Sequence, residues 1–128
     1  MTQHAVGTFE VKLVPQPGVE GSPIMRMSID KMLSGDLVGT SVGEMLAAGD
    51  PSGSGWYVAL ERVTGTIGGR RGSFVLMHQG TRSASEAHLT VRVAAGSGTG
   101  DFAGMSGTFS ITIVDKQHRY DLDYSLAG

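Results

Sequence analysis

The sequence predicts an all-β protein, a single small antiparallel barrel of about eight up-and-down strands occupying residues 1–128. Three observations lead there. Most segments alternate apolar and polar residues with period two, the 20 glycines are spread along the chain, and the connections between segments are short and rich in turn-forming residues. Helical spacing is scarce; only "VGEMLAAG", Val42 to Ala48 and the glycine after it, could form a helical turn. A two-sheet sandwich is the competing architecture, but closure removes the exposed edges that an open meander leaves.

The predicted strands cover 6–14, 24–33, 36–47, 55–66, 70–80, 86–95, 106–114 and 117–126. Pro15, Pro17 and Pro23 bracket the first connection, and Asp50-Pro51 with Gly53 and Gly55 marks the third. Gly68-Gly69 has the composition of a two-residue hairpin turn. In 86–95, Leu89, Val91 and Val93 oppose His88, Thr90 and Arg92, and from Thr108 onward Phe109, Ile111 and Ile113 alternate with polar residues. The last strand is the cleanest: His118, Tyr120, Leu122, Tyr124 and Leu126 share one face, opposite Arg119, Asp121, Asp123 and Ser125.

Composition narrows the function. Ten basic and twelve acidic side chains nearly balance, and no basic cluster exceeds Arg70-Arg71, so a nucleic-acid partner is not expected. The absence of cysteine removes disulfides, thiolate metal sites and cysteine nucleophiles. No apolar run approaches a membrane span, and "MTQHAVGTFE" lacks a signal-peptide pattern; the expectation is a cytoplasmic protein with no membrane partner. His78, His88 and His118 lack metal-motif spacing, so neither a metal nor another cofactor is expected.

"GSGTGDFAGMSG", Gly96 to Gly107, resembles a phosphate-binding loop only in composition. It lies between two strands rather than before a helix and has no lysine, and Asp101 would repel an anion. Its glycines are better read as allowing positive φ and close strand approach at one barrel end, with Phe102 tucked inward.

A Gly68-Gly69 turn makes paired residue numbers sum to 137, setting Ala59 against His78, Glu61 against Leu76 and Val63 against Phe74. The face carrying Tyr57, Ala59, Glu61, Val63, Phe74, Leu76 and His78 is the preferred interior, although a one-residue slip would exchange one strand's faces. Glu61 and His78 are then diagonal neighbours. Burial disfavours each charged form while mutual attraction favours the ion pair, which prepares a proton for transfer. Glu61 and His78 are the candidate catalytic residues. The candidate ligand contacts are Arg26, Tyr57, Glu61, Phe74, Leu76, His78, His118, Tyr120 and Tyr124, with Arg26 or His118 at the mouth. Seven methionines, among them Met25, Met27 and Met32, fit either core filling or a pliable pocket. Val58, Leu60, Val75 and Met77 fall outside, as a homo-oligomer interface would explain.

The segments "GDLVGTSVGEML", "WYVALERVTGTIGGRRGSFVLMHQG", "GSGTGDFAGMSG" and "HRYDLDYSL" occur in an order that resembles the allene oxide cyclase-like barrel superfamily, most closely a bacterial domain family of unknown function within it. The glycine-rich segment is also similar to a hairpin of plant dirigent proteins. The resemblance implies a barrel with an apolar cavity, trimeric in plant relatives that guide cyclisation or radical coupling by holding a reactive substrate in one shape. Glu10 matches the first-strand glutamate of the cyclases. This chain, however, contains no asparagine, where the cyclases use asparagines to hold a water, and one corresponding segment reads "GTSVG" around Val42. Allene oxide cyclase activity is therefore not expected.

Three functional classes follow: binding of a small apolar or amphipathic molecule inside the barrel, a cofactor-independent isomerase or cyclase using Glu61 and His78 as acid and base, and a structural oligomer-forming barrel with a filled core.

Overall fold

The computed structural model describes residues 2–126. They form β1 (Gln3–Gln16), β2 (Met25–Gly35), β3 (Leu37–Gly49), β4 (Gly55–Ile67), β5 (Arg70–Arg82), β6 (Ala87–Val93), β7 (Thr99–Gly100), β8 (Met105–Val114) and β9 (Gln117–Leu126). Eight strands follow one another around an antiparallel barrel, β1 closing on β9 and the β4–β5 hairpin joining the ends of the strand order. That closure excludes the sandwich. The short β7 pairs onto β5 through Gly72 and Ser73 and is additional to the barrel wall. Val42 to Ala48 lies within β3 as extended strand, not a helical turn. No helix among the described residues is long and apolar enough to cross a membrane.

The Gly68-Gly69 turn sets the predicted register, with Ala59 opposite His78, Glu61 opposite Leu76 and Val63 opposite Phe74. Both glycines have positive φ, 55° and 84°, which a two-residue turn between twisted strands requires. The β8–β9 turn has the same shape without glycine: Asp115 and Lys116 stand at φ 51° and 66°. A side chain in this left-handed conformation costs roughly 1 kcal/mol, partly offset by the smaller entropy it loses on folding. Lys116→Gly should therefore raise stability by about 0.5 kcal/mol, seen as a higher urea midpoint at unchanged slope.

One end of the barrel is filled. Phe74, Phe102, Met105, Leu37, Val63, Leu76 and Leu122 are all but inaccessible to solvent. The glycine-rich segment makes this possible. Phe102 folds back inside and meets Phe74 edge-on at 5.7 Å, while a Cβ on Gly98 would come within 1.9 Å of the Phe102 carbonyl oxygen. Tyr120 closes the same end: its hydroxyl accepts the Leu37 N–H at 3.0 Å and lies 2.9 Å from the Ser34 carbonyl oxygen it donates to. The opposite end carries the β1–β2, β3–β4, β5–β6 and β8–β9 connections. There the inward side chains are less covered, with Leu13, Leu89 and Ile113 exposed.

Candidate functional site

Midway along the interior, four polar side chains meet. Alternation along β4 turns Glu61 inward between Ala59 and Val63, where it is 1% exposed. The opposing residue on β3 is Gly43, whose missing side chain matters: a Cβ there would lie 2.7 Å from that of Glu61. One carboxylate oxygen, Oε2, accepts a hydrogen bond from Lys31 Nζ at 2.8 Å and lies 2.7 Å from His78 Nε2; the other, Oε1, accepts from Ser41 Oγ at 3.1 Å. Lys31 also stands over the Phe9 ring, 4.7 Å from its centroid, so the ammonium has an aromatic face as well as a carboxylate.

The His78 contact is short but not aligned. Nε2 is fully buried and has no hydrogen-bond partner in good geometry, although it is at ion-pair distance from Glu61. Burial, the largest influence on Glu61, pushes its carboxyl upward. The adjacent His78 ring and the Lys31 charge together outweigh burial and hold the carboxyl below its ordinary range. Glu61 is thus an ionised acceptor rather than a proton donor.

Tyr57 connects this cluster to the open end. Its ring is 6.3 Å from that of His78 and covers Gly80, where a Cβ would come within 2.1 Å of the ring. Partial burial, and secondarily the Glu61 charge, raise the Tyr57 hydroxyl above its usual value, so it remains protonated and able to donate. Beyond it a hollow of about 530 Å³ opens between the β3–β4 and β5–β6 connections, lined by Met25, Met45, Trp56, Tyr57 and Leu89, with Arg82 at its edge.

The structure thus brings Glu61, His78 and Tyr57 together, with Leu76 directly opposite Glu61, and places Arg26, Phe74, His118, Tyr120 and Tyr124 away from them. Arg26 does not stand at the mouth; even-numbered positions of β2 point outward, and Arg26 is exposed and paired with Glu44. Phe74, Leu76, Tyr120 and Tyr124 face inward as expected but belong to the packed end rather than to an open cavity, because aromatic packing fills the space around them. His118 is half-buried on the wall opposite the hollow, its ring 5.1 Å from that of Phe9. Met32 is exposed on the outer surface, and Met25 is exposed at the rim, so neither fills the core. Val58, Leu60 and Met77 are exposed outside, whereas Val75 is half-covered near Ser97. Glu10 points to solvent.

Lys31 and Ser41 are the members that sequence reading missed. A signal existed for both. Lys31 has the parity of Ile29 and Leu33 on β2, and Ser41 lies between Gly39 and Gly43 on the inward side of β3.

The fold and its interior define a closed antiparallel β-barrel with a buried lysine–glutamate–histidine–serine cluster below an apolar opening. The chain belongs to the family described as protein of unknown function (DUF3224), whose pattern matches residues 5–124. It is similar to the crystal structure of a DUF3224 protein of unknown function from Shewanella oneidensis MR-1, at 38% identity and TM-score 0.91, over 100% of this chain and 99% of that one. No curated protein matches the chain.

Proposed function

We propose that this protein binds a small, largely apolar molecule at the open end of its barrel, with Tyr57 orienting the ligand and standing between it and the buried Lys31–Glu61–His78 cluster. The observation carrying this reading is the contrast between the two ends: one is packed with aromatic side chains, while the other leaves a hollow of about 530 Å³ lined by methionine, tryptophan, tyrosine and leucine. Apolar pockets with a few convergent polar groups are the usual form of small-molecule sites. Motif order supports an allene oxide cyclase-like barrel as its broader kinship, and the exposed outer residues Val58, Leu60 and Met77 support a homo-oligomer as part of the same reading.

Trp56, the chain's single tryptophan, lines the hollow and provides a reporter. Titration with 1-aminoanthracene, an uncharged apolar fluorophore, should give saturable energy transfer from Trp56, weakened at least tenfold by Met45→Asp. No saturation, or an equal signal from that variant, contradicts the site.

One observation favours a second reading, a cofactor-independent isomerase or cyclase. Glu61 is kept ionised and His78 Nε2 lies 2.7 Å away without an aligned partner, so the carboxylate could act as base while His78 moves the proton. The packed end favours the filled-core alternative for only half of the interior.

A further inference from the structure

We propose a second binding site, for a tetrahedral oxyanion such as a phosphate monoester, on the outer surface of the β4–β5 hairpin between Arg62 and Arg71. A hollow of about 260 Å³ there is lined by both arginines together with Thr64, Thr66, Ser73 and Thr99. Its construction follows from the hairpin register. Arg62, Thr64 and Thr66 are successive outward positions of β4, and Arg71 faces Thr66 across the pair while Ser73 faces Thr64.

The arginines therefore flank the Thr64–Ser73 pair from two sides, their backbones roughly 13 Å apart along the strand direction. Arg62 already leans inward, its Nη2 donating to Ser73 Oγ at 3.3 Å. Ser73 in turn shares a 2.6 Å hydrogen bond with Thr99 Oγ1, which fixes the floor through β7. Neither guanidinium has a carboxylate within ion-pair distance among the described residues. One acidic side chain, Asp101, bonds to this strand: it accepts the backbone N–H of Arg71 at 2.9 Å.

Two forked cations beside hydroxyl donors match the three acceptor oxygens of a phosphate monoester better than they match a planar carboxylate or a lone halide. The site is small and lies on the opposite side of the barrel wall from the Glu61 cluster, so it is independent of the ligand proposed above.

Titration of the full chain with inorganic phosphate, and separately with glycerol 3-phosphate, should shift the backbone amide resonances of Thr64, Thr66, Arg71, Ser73 and Thr99 saturably at constant ionic strength. Arg62→Gln or Arg71→Gln should weaken binding about tenfold each, the change expected for one lost charge-assisted contact, and Asp101→Asn should strengthen it. Comparable affinity for both compounds points to free phosphate as the source; tighter binding of the ester points to an organic phosphate. Shifts that fail to saturate, that chloride reproduces, or that survive Arg71→Gln overturn the proposal. Both arginines are exposed, and unchanged spectra away from the site will show that the variants remain folded.

Discussion

Glu61→Ala should lower folding stability by about 3–5 kcal/mol, because it leaves the Lys31 ammonium buried without its carboxylate. Lys31 is only 6% exposed, and Phe9 alone cannot replace the lost hydrogen bond and charge. The companion double variant Lys31→Met/Glu61→Leu should recover most of that loss, since apolar side chains of similar volume avoid the desolvation cost of both ions. Urea unfolding of the wild type, Lys31→Met, Glu61→Leu and the double variant gives the coupling directly, with Glu61→Ala measured alongside. If Glu61→Ala loses less than about 1 kcal/mol, the cluster is not the dry, mutually dependent unit described above.

The same group sets an acid dependence. The folded carboxyl titrates below its ordinary value of 4.5. Its contribution to stability is thus fully present above the unfolded value and is lost as pH falls through the lowered folded value. Glu61→Gln should remove this part of the acid sensitivity, so the stability gap between wild type and variant narrows from pH 7 toward pH 3. A gap that widens on acidification would reverse the assigned direction.

Phe102→Ala should produce the other large effect, a loss of about 3–5 kcal/mol from removing a fully buried aromatic ring. Phe102 has no solvent exposure and closes the packed end against Phe74. The cavity should not collapse easily, because the turn that delivers the ring is itself fixed: Asp101 N–H donates to the Arg71 carbonyl at 2.9 Å and Met105 N–H to that of Phe102 at 3.0 Å. Thermal and urea unfolding measure the loss. A change below about 1 kcal/mol would mean that the glycine-rich segment is a surface loop rather than the stopper of the barrel.

Much of this arrangement was legible before any coordinates. Gly68-Gly69 determined a register, and the register placed Glu61 beside His78. Phe102 stood out as an aromatic residue among glycines, expected to tuck inward from the turn at one barrel end, but its role as the stopper of that end was not legible. The terminal strand's parity put Tyr120, Leu122 and Tyr124 inside, but parity reports a side, not a depth. It could not tell that Tyr120 spends its hydroxyl on Ser34 and Leu37 while Tyr57, on another strand, reaches the open end.

Lys31 was harder because a lysine inside an apolar barrel contradicts average burial preferences. Its placement depends on Glu61 arriving from β4, a partner thirty residues away and two strands across the sheet. Alternation along β2 gave the direction of its side chain, but the pairing that makes this direction tolerable is a tertiary event. Arg26 shows the converse: although it is a candidate for the mouth, its even position on β2 turns it outward to Glu44. The brief β7 pairing, two residues held by Gly72 and Ser73, is too short to leave a periodic signal.

The most direct test of the proposed binding role is native mass spectrometry of protein purified without organic solvent or detergent, beside a Met45→Asp/Leu89→Asp variant that makes the opening polar. The wild type should carry a defined apolar or amphipathic small molecule at one per chain, released on denaturation and absent from the variant. The same adduct at equal occupancy on both proteins would contradict a ligand held at the open end of the barrel.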